Sequence, residues 1–120
     1  MVPVVIVSPY QGANPSEVKR NLTYVNRCIL DCLYSHGEAP FAVHAIYAEA
    51  LNNTDPEQRK LALQAGDEWA KLAVRLVVYT DYGFTEGMNE TINKSGKPCL
   101  HRTIGQNPSG TPMPAKKEPK

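Results

Sequence analysis

The sequence predicts an α/β domain, a three-layer sandwich around a four- to five-stranded, mainly parallel sheet. Two observations carry this. Val2-Pro3-Val4-Val5-Ile6-Val7 and Arg75-Leu76-Val77-Val78-Tyr79 are continuous, largely β-branched runs, the pattern of strands buried on both faces. Asn14-Pro15 and Asp55-Pro56 each place a capping side chain before a proline, the start signal of a helix. Strands alternating with helices imply parallel pairing and helices on both faces, a flavodoxin/Rossmann-like arrangement.

The elements follow in order. The first strand covers residues 2–7, and residues 8–13 are rich in loop formers. A helix is predicted from the Asn14 cap to Ser35, with Val18, Leu22, Val25, Ile29, Cys32 and Leu33 as one apolar stripe and Gly37 as its stop. A short strand is expected over residues 41–44 and a short helix over 45–51. Asp55-Pro56-Glu57 opens a second long helix to about Ala73, with Leu61, Ala65, Trp69 and Leu72 as its buried stripe. The strand at 75–79 leads into a loop at 80–84. A helix begins at Thr85 or Glu86 and ends near Ser95-Gly96, before an edge strand over 98–101. Residues 1–104 are expected to form the domain. The Pro- and Lys-rich residues 105–120 are expected to be a disordered tail.

Composition narrows the function. Across 120 residues the net charge is +1, so no global field draws the chain to a nucleic-acid polymer or a membrane surface. The apolar runs are too short to span a bilayer. Residues 2–7 lack the length and basic flank of a signal peptide, so a cytoplasmic protein is expected. Cys28, Cys32 and Cys99 are an odd set, which in a reducing compartment reads as free thiols. Cys28 and Cys32 share a helical spacing, but no histidine or acid cluster adjoins them, so small buried hydrophobes are expected and no metal. Asn-x-Ser/Thr triplets such as those at Asn21, Asn52 and Asn89 are expected to be chance matches in a chain without a secretory signal. No cofactor is expected.

In open parallel sheets, ligands sit beyond the carboxyl ends of the strands, where the strand order reverses. That directs attention to residues 8–13, the stretch around His44, and residues 80–87. Ser8-Pro9-Tyr10-Gln11-Gly12 leads into a helix N-terminus, where backbone N–H groups favour an anion. It carries neither the G-x-G-x-x-G fingerprint nor the Lys-Ser/Thr of a P-loop, and it serves equally as a plain connection. Asp81 is a candidate acceptor for sugar hydroxyls. Gly83 and Gly87 let backbone approach a ligand. Glu86 or Glu90 is a candidate carboxylate for an anomeric carbon, and both also suit an acidic first helical turn. His44 is a candidate phosphate contact, acid/base or helix cap. Tyr10, Tyr82 and Phe84 are candidates to flank a base or to serve as rim aromatics. Arg59 suits a local salt bridge or a phosphate.

These segments carry a resemblance. Val5-Ile6-Val7-Ser8-Pro9-Tyr10, Pro40-Phe41-Ala42-Val43-His44, Asp55-Pro56-Glu57-Gln58-Arg59, Val78 through Met88, and Gly96-Lys97-Pro98 stand in the order and spacing of a small family of phages and bacteria. That family is similar to nucleoside 2-deoxyribosyltransferases, and the resemblance spans roughly residues 2 to 104. It implies a strand-end cleft that holds a nucleoside or nucleotide, and assembly into homo-oligomers. It also implies chemistry on the N-glycosidic bond through a glutamate on the loop-helix after the third strand, a place that Glu90 takes. The candidate ligand contacts are then Ser8, Pro9, Tyr10, Gly12, His44, Arg59, Asp81, Tyr82, Gly83, Gly87 and Met88. The other reading is a phage sponge, resident in the host cytoplasm, that sequesters a cyclic or ADP-ribose-type immune signal without cleaving it.

Overall fold

The structure is a computed structural model that describes residues 1–10, 12–47, 50–52 and 54–105. Among the described residues four strands and four helices follow one another: β1 (Val2–Val7), α1 (Pro15–Ser35), β2 (Glu38–Phe41), α2 (Val43–Tyr47), α3 (Pro56–Leu72), β3 (Arg75–Tyr79), α4 (Glu86–Ser95) and β4 (Cys99–Arg102). The sheet order is β2-β1-β3-β4 and every pair is parallel. The predicted fold class is therefore the one observed. The tail expected from residue 105 lies outside the described residues beyond Gly105.

The continuous apolar strands are two-faced, as their sequence requires. Val4 and Ile6 of β1 and Val77 and Tyr79 of β3 pack with Tyr24, Val25, Cys28 and Cys32 of α1. Val5, Val7, Leu76 and Val78 point the other way, against Ala70 and Ala73 at the end of α3 and Met88 of α4. Register keeps the faces consistent, with Ile6 opposite Val77 and Val7 opposite Val78. Chain direction reverses about β1: α1 returns the chain to β2 on one flank, and α3 carries it to β3 on the other. The carboxyl ends of β1 and β3 therefore bracket the switch point.

The helix signals act as read. Asn14 Oδ1 accepts from Glu17 N at 2.9 Å with Pro15 in the first turn, and Asp55 Oδ1 accepts from Glu57 N at 3.0 Å ahead of α3. Thr85 Oγ1 accepts from Met88 N at 3.1 Å and starts α4. Gly96 then takes the left-handed conformation that ends the helix. Lys97 follows and donates from Nζ to the carbonyls of Lys71 and Ala73, both at 2.8 Å. That ties the entry of β4 to the last turn of α3.

Three expectations need correction. The strand expected at 41–44 lies at 38–41, and His44 belongs to α2, which starts at Val43 rather than at Ala45; part of the expected span, residues 48 and 49, lies outside the described residues. Glu38 is the reason: a carboxylate reads as exposed, yet this one is 1% exposed and takes bonds from two arginines. The stripe on α3 is also different. Leu61, Trp69 and Leu72 are 55%, 42% and 71% exposed. The inward face instead carries Ala62, Gly66, Ala70 and Ala73, because α3 packs close to its neighbours: a Cβ on Gly66 would sit 3.1 Å from Val43 Cγ2. On α1, Leu33 is exposed while Asn21, Tyr24, Cys28 and Asp31 turn inward. Their polar atoms have partners: Asn21 Nδ2 donates to Tyr10 O at 3.1 Å, and Asp31 accepts from the Tyr79 hydroxyl at 2.8 Å.

Candidate functional site

A cleft of about 350 Å³ opens at the switch point, on the α3/α4 side of the sheet. This volume lies in the lower range of small-ligand sites. The carboxyl half of β1 forms its floor, through Val5, Ile6 and Val7. One wall is Val43, His44 and Tyr47 of α2 with Arg59, Ala62, Leu63, Gly66 and Asp67 of α3. The opposite wall is the first turns of α4: Thr85, Glu86, Gly87, Met88 and Thr91.

Of the residues the sequence singled out, Ser8, Tyr10, His44, Arg59, Gly87 and Met88 line this cleft. Ser8 is 6% exposed, and its Oγ lies 2.7 Å from His44 Nε2, a hydrogen bond that joins the β1 loop to α2. Tyr10 meets His44 edge to face, with centroids 5.8 Å apart. Burial lowers the His44 pKa to about 4, so the imidazole is neutral at neutral pH. Burial also raises the Tyr10 phenol, and the Arg59 charge partly opposes that rise.

Except for Glu86, the remaining candidates lie off the cleft lining. Pro9 is buried between two lining residues. Gly12 sits over the first turn of α1, where a Cβ would fall 2.4 Å from Glu17 Cβ. Asp81 and Tyr82 face α1. Asp81 Oδ1 accepts from the Tyr24 hydroxyl at 2.5 Å and from Ile104 N at 3.0 Å, and the Tyr24 hydroxyl also accepts from Asp81 N at 2.9 Å. Tyr82 packs edge to face on Tyr24 and carries the Arg20 guanidinium 4.0 Å above its ring. Gly83 closes a turn, its N–H donating to Thr80 O at 2.9 Å with φ of +81°. Glu90 is exposed and is not among the lining residues. Glu86 is at the cleft, also exposed.

Sequence reading missed Val43, Tyr47, Leu51, Ala62, Gly66, Asp67 and Thr91. A usable signal existed on α3: Arg59, Ala62, Leu63, Gly66 and Asp67 recur at helical spacing below a residue already suspected of binding. Asp67 Oδ2 pairs with Lys94 Nζ at 3.0 Å across the two helices. Among the described residues no group of three or more His, Cys, Asp or Glu side chains could hold a metal ion, and no helix is long and apolar enough to cross a membrane.

The family model described as Domain of unknown function (DUF7768) matches residues 2–101. The chain belongs to that family. No curated protein matches it significantly by sequence. Among solved structures, a 2-deoxyribosyltransferase from Bacillus psychrosaccharolyticus is similar in fold. The TM-score is 0.58 at 15% identity, over 88% of this chain and 74% of that one.

Proposed function

We propose that the strand-end cleft binds a nucleoside or nucleotide and that the N-glycosidic bond of this ligand is hydrolysed or transferred there. The observation that carries the reading is convergence. Ser8, Tyr10, His44 and Arg59 come from three separate elements to one concave, partly apolar site, faced by the N-terminus of α4. A base has aromatic and aliphatic surface in Tyr10, Tyr47, Val43 and Met88. A sugar has the Ser8–His44 pair and Thr91 as hydrogen-bonding partners. The 2-deoxyribosyltransferase of like fold supports the ligand class.

Glycosidic chemistry calls for a carboxylate as nucleophile or base. Among the described lining residues the carboxylates are Glu86 and Asp67. Glu90 is the weaker assignment because it stands exposed on the flank of α4. The same observation favours a second reading, in which the ligand is held intact. Beyond its first residue, the cleft side of α4 offers Gly87, Met88 and Thr91, while Asp67 is engaged by Lys94.

The test is incubation with a panel of nucleosides, nucleotides and cyclic and ADP-ribose-type nucleotides, followed by mass analysis before and after denaturing the protein. Free base, lost in Glu86→Gln or Asp67→Asn and kept in Glu90→Gln, supports the chemistry and its placement. Ligand recovered whole only after denaturation supports the second reading. Absence of any bound ligand refutes both.

A further inference from the structure

Resting on that reading, we infer that Arg59 is a phosphate anchor and that the cleft is built for a nucleoside carrying a single phosphate. The first observation is the state of Arg59. Three of the four other arginines have evident partners: Arg75 and Arg102 bind the Glu38 carboxylate, and Arg20 binds Asn21 Oδ1; the fourth, Arg27 of α1, has its Nε buried without a partner but stands off the cleft lining. Arg59 is partly buried in the cleft wall, and among the described residues no carboxylate is bonded to it. The acids in its own helical turn are turned elsewhere. Asp55 caps α3 by accepting from Glu57 N and from Gln58 Nε2, and Glu57 is exposed. A partly desolvated guanidinium with no counter-ion is costly until an anion arrives. Its planar fork of donors matches phosphate oxygens.

The second observation is the charge inventory around it. Arg59 is the only lysine or arginine among the described lining residues, and His44 is neutral. Lys94, a further cation tied to this wall, is held by Asp67. Glu86 and Asp67 face the same space. A monophosphate, at about −1.5 to −2 charges, already exceeds one arginine, and a triphosphate would bring far more negative charge against two carboxylates. Cleft size agrees, since about 350 Å³ is at the small end of ligand sites.

The test is calorimetric titration with AMP, GMP, CMP and UMP, their deoxy counterparts, the matching nucleosides and the matching triphosphates. For the bases that bind, the monophosphate should bind about tenfold or more tightly than its nucleoside, the scale of one charge-assisted contact, and more tightly than the triphosphate. Arg59→Ala should weaken monophosphate binding about tenfold more than nucleoside binding and so abolish the monophosphate advantage, while Arg59→Lys should retain part of it. Inorganic phosphate should compete with the monophosphate on the unmutated protein, a readout independent of how the variants fold. Equal affinity for nucleoside and monophosphate, or equal loss of both in Arg59→Ala, overturns the anchor and leaves the nucleoside reading standing. Failure of every nucleoside and nucleotide to bind overturns both.

Discussion

Ser8 Oγ and His44 Nε2 share a 2.7 Å hydrogen bond across the mouth of the switch-point cleft, tying the loop after β1 to the first turn of α2. The contact fixes a neutral imidazole beside Tyr10, where a ligand's polar edge can meet it. The burial of the ring at this place also makes His44 a titrating element of stability.

Burial lowers the His44 pKa from its ordinary 6.5 to about 4. Between those values the unfolded chain binds a proton that the folded chain refuses, so stability falls as pH drops through this window. By pH 5 the loss is about 2 kcal/mol at roughly 1.4 kcal/mol per pH unit. His44→Gln, which can still bond Ser8, should remove that part of the slope. Urea denaturation at pH 7 and pH 5 reads it directly. An unchanged slope in the variant would place the acid sensitivity elsewhere.

Glu38 should be the most demanding single position of the fold. It is 1% exposed, takes both Arg102 Nη atoms at 2.9 Å and takes Arg75 Nη2 at 2.8 Å. Burial alone would raise its pKa, but the bonds from Arg102 and Arg75 outweigh that and hold it below the usual carboxylate value. The residue thus binds β2 to β3 and β4 across β1. Glu38→Gln leaves two guanidinium groups against a neutral amide, and a loss of about 3–5 kcal/mol is expected. A shift under about 1 kcal/mol in chemical denaturation would show that the cluster is solvated.

The two apolar strands, the capped helix starts and the loops after β1 and β3 were legible because their signals are local. Asn14-Pro15 and Asp55-Pro56 cap where they stand. Glu38 was illegible because its burial depends on Arg75 and Arg102, 37 and 64 residues away in sequence. Trp69 and Leu72 misled because a helix docked through Ala62, Gly66 and Ala70 buries its small residues and leaves large ones outside. Asp81 and Glu86 sit on the same strand-end loop and helix start, yet only Glu86 lines the cleft. Sequence fixes neither which face of the sheet a loop residue meets nor which partner waits there.

Gly12 offers a direct separation of packing from binding. Added at this position, a Cβ would fall 2.4 Å from Glu17 Cβ and 3.0 Å from the Glu17 carbonyl carbon and Val18 N. The backbone of α1 cannot yield cheaply, so Gly12→Ala should lower stability by about 1–3 kcal/mol. Ligand affinity of the folded fraction should not change, since Gly12 is off the cleft lining. Full thermal stability with weakened binding would return Gly12 to the ligand site.

The thiols should divide by burial. Cys28 and Cys32 are fully buried, and Cys99 is partly exposed. Burial pushes the Cys32 thiol up to about 12 and Cys28 higher still, which suppresses the reactive thiolate. Native protein should titrate quickly at Cys99 alone with an aromatic disulfide reagent, and at all three cysteines after denaturation. Rapid native reaction at Cys28 or Cys32 would mean that α1 opens from the sheet.

Asp81 and Tyr10 should behave as opposites, although both are candidate ligand contacts by sequence. Asp81 Oδ1 satisfies the Tyr24 hydroxyl and the Ile104 N–H, so it latches the loop after β3 and the segment after β4 onto α1. Removing it in Asp81→Ala strands two donors at the edge of the core, each worth about 1–3 kcal/mol when unsatisfied. Tyr10 has its ring at the cleft, edge to face with His44, and its loss removes ligand surface. Thermal melts and titration with the tightest-binding nucleotide should therefore cross over. Asp81→Ala should melt several degrees lower with affinity intact. Tyr10→Ala should keep most of its stability and lose affinity by about tenfold, the scale of one stacked ring. If Asp81→Ala instead loses affinity without losing stability, the ligand reaches past the switch point to the α1 face of the sheet, and the site is larger than the cleft between α3 and α4.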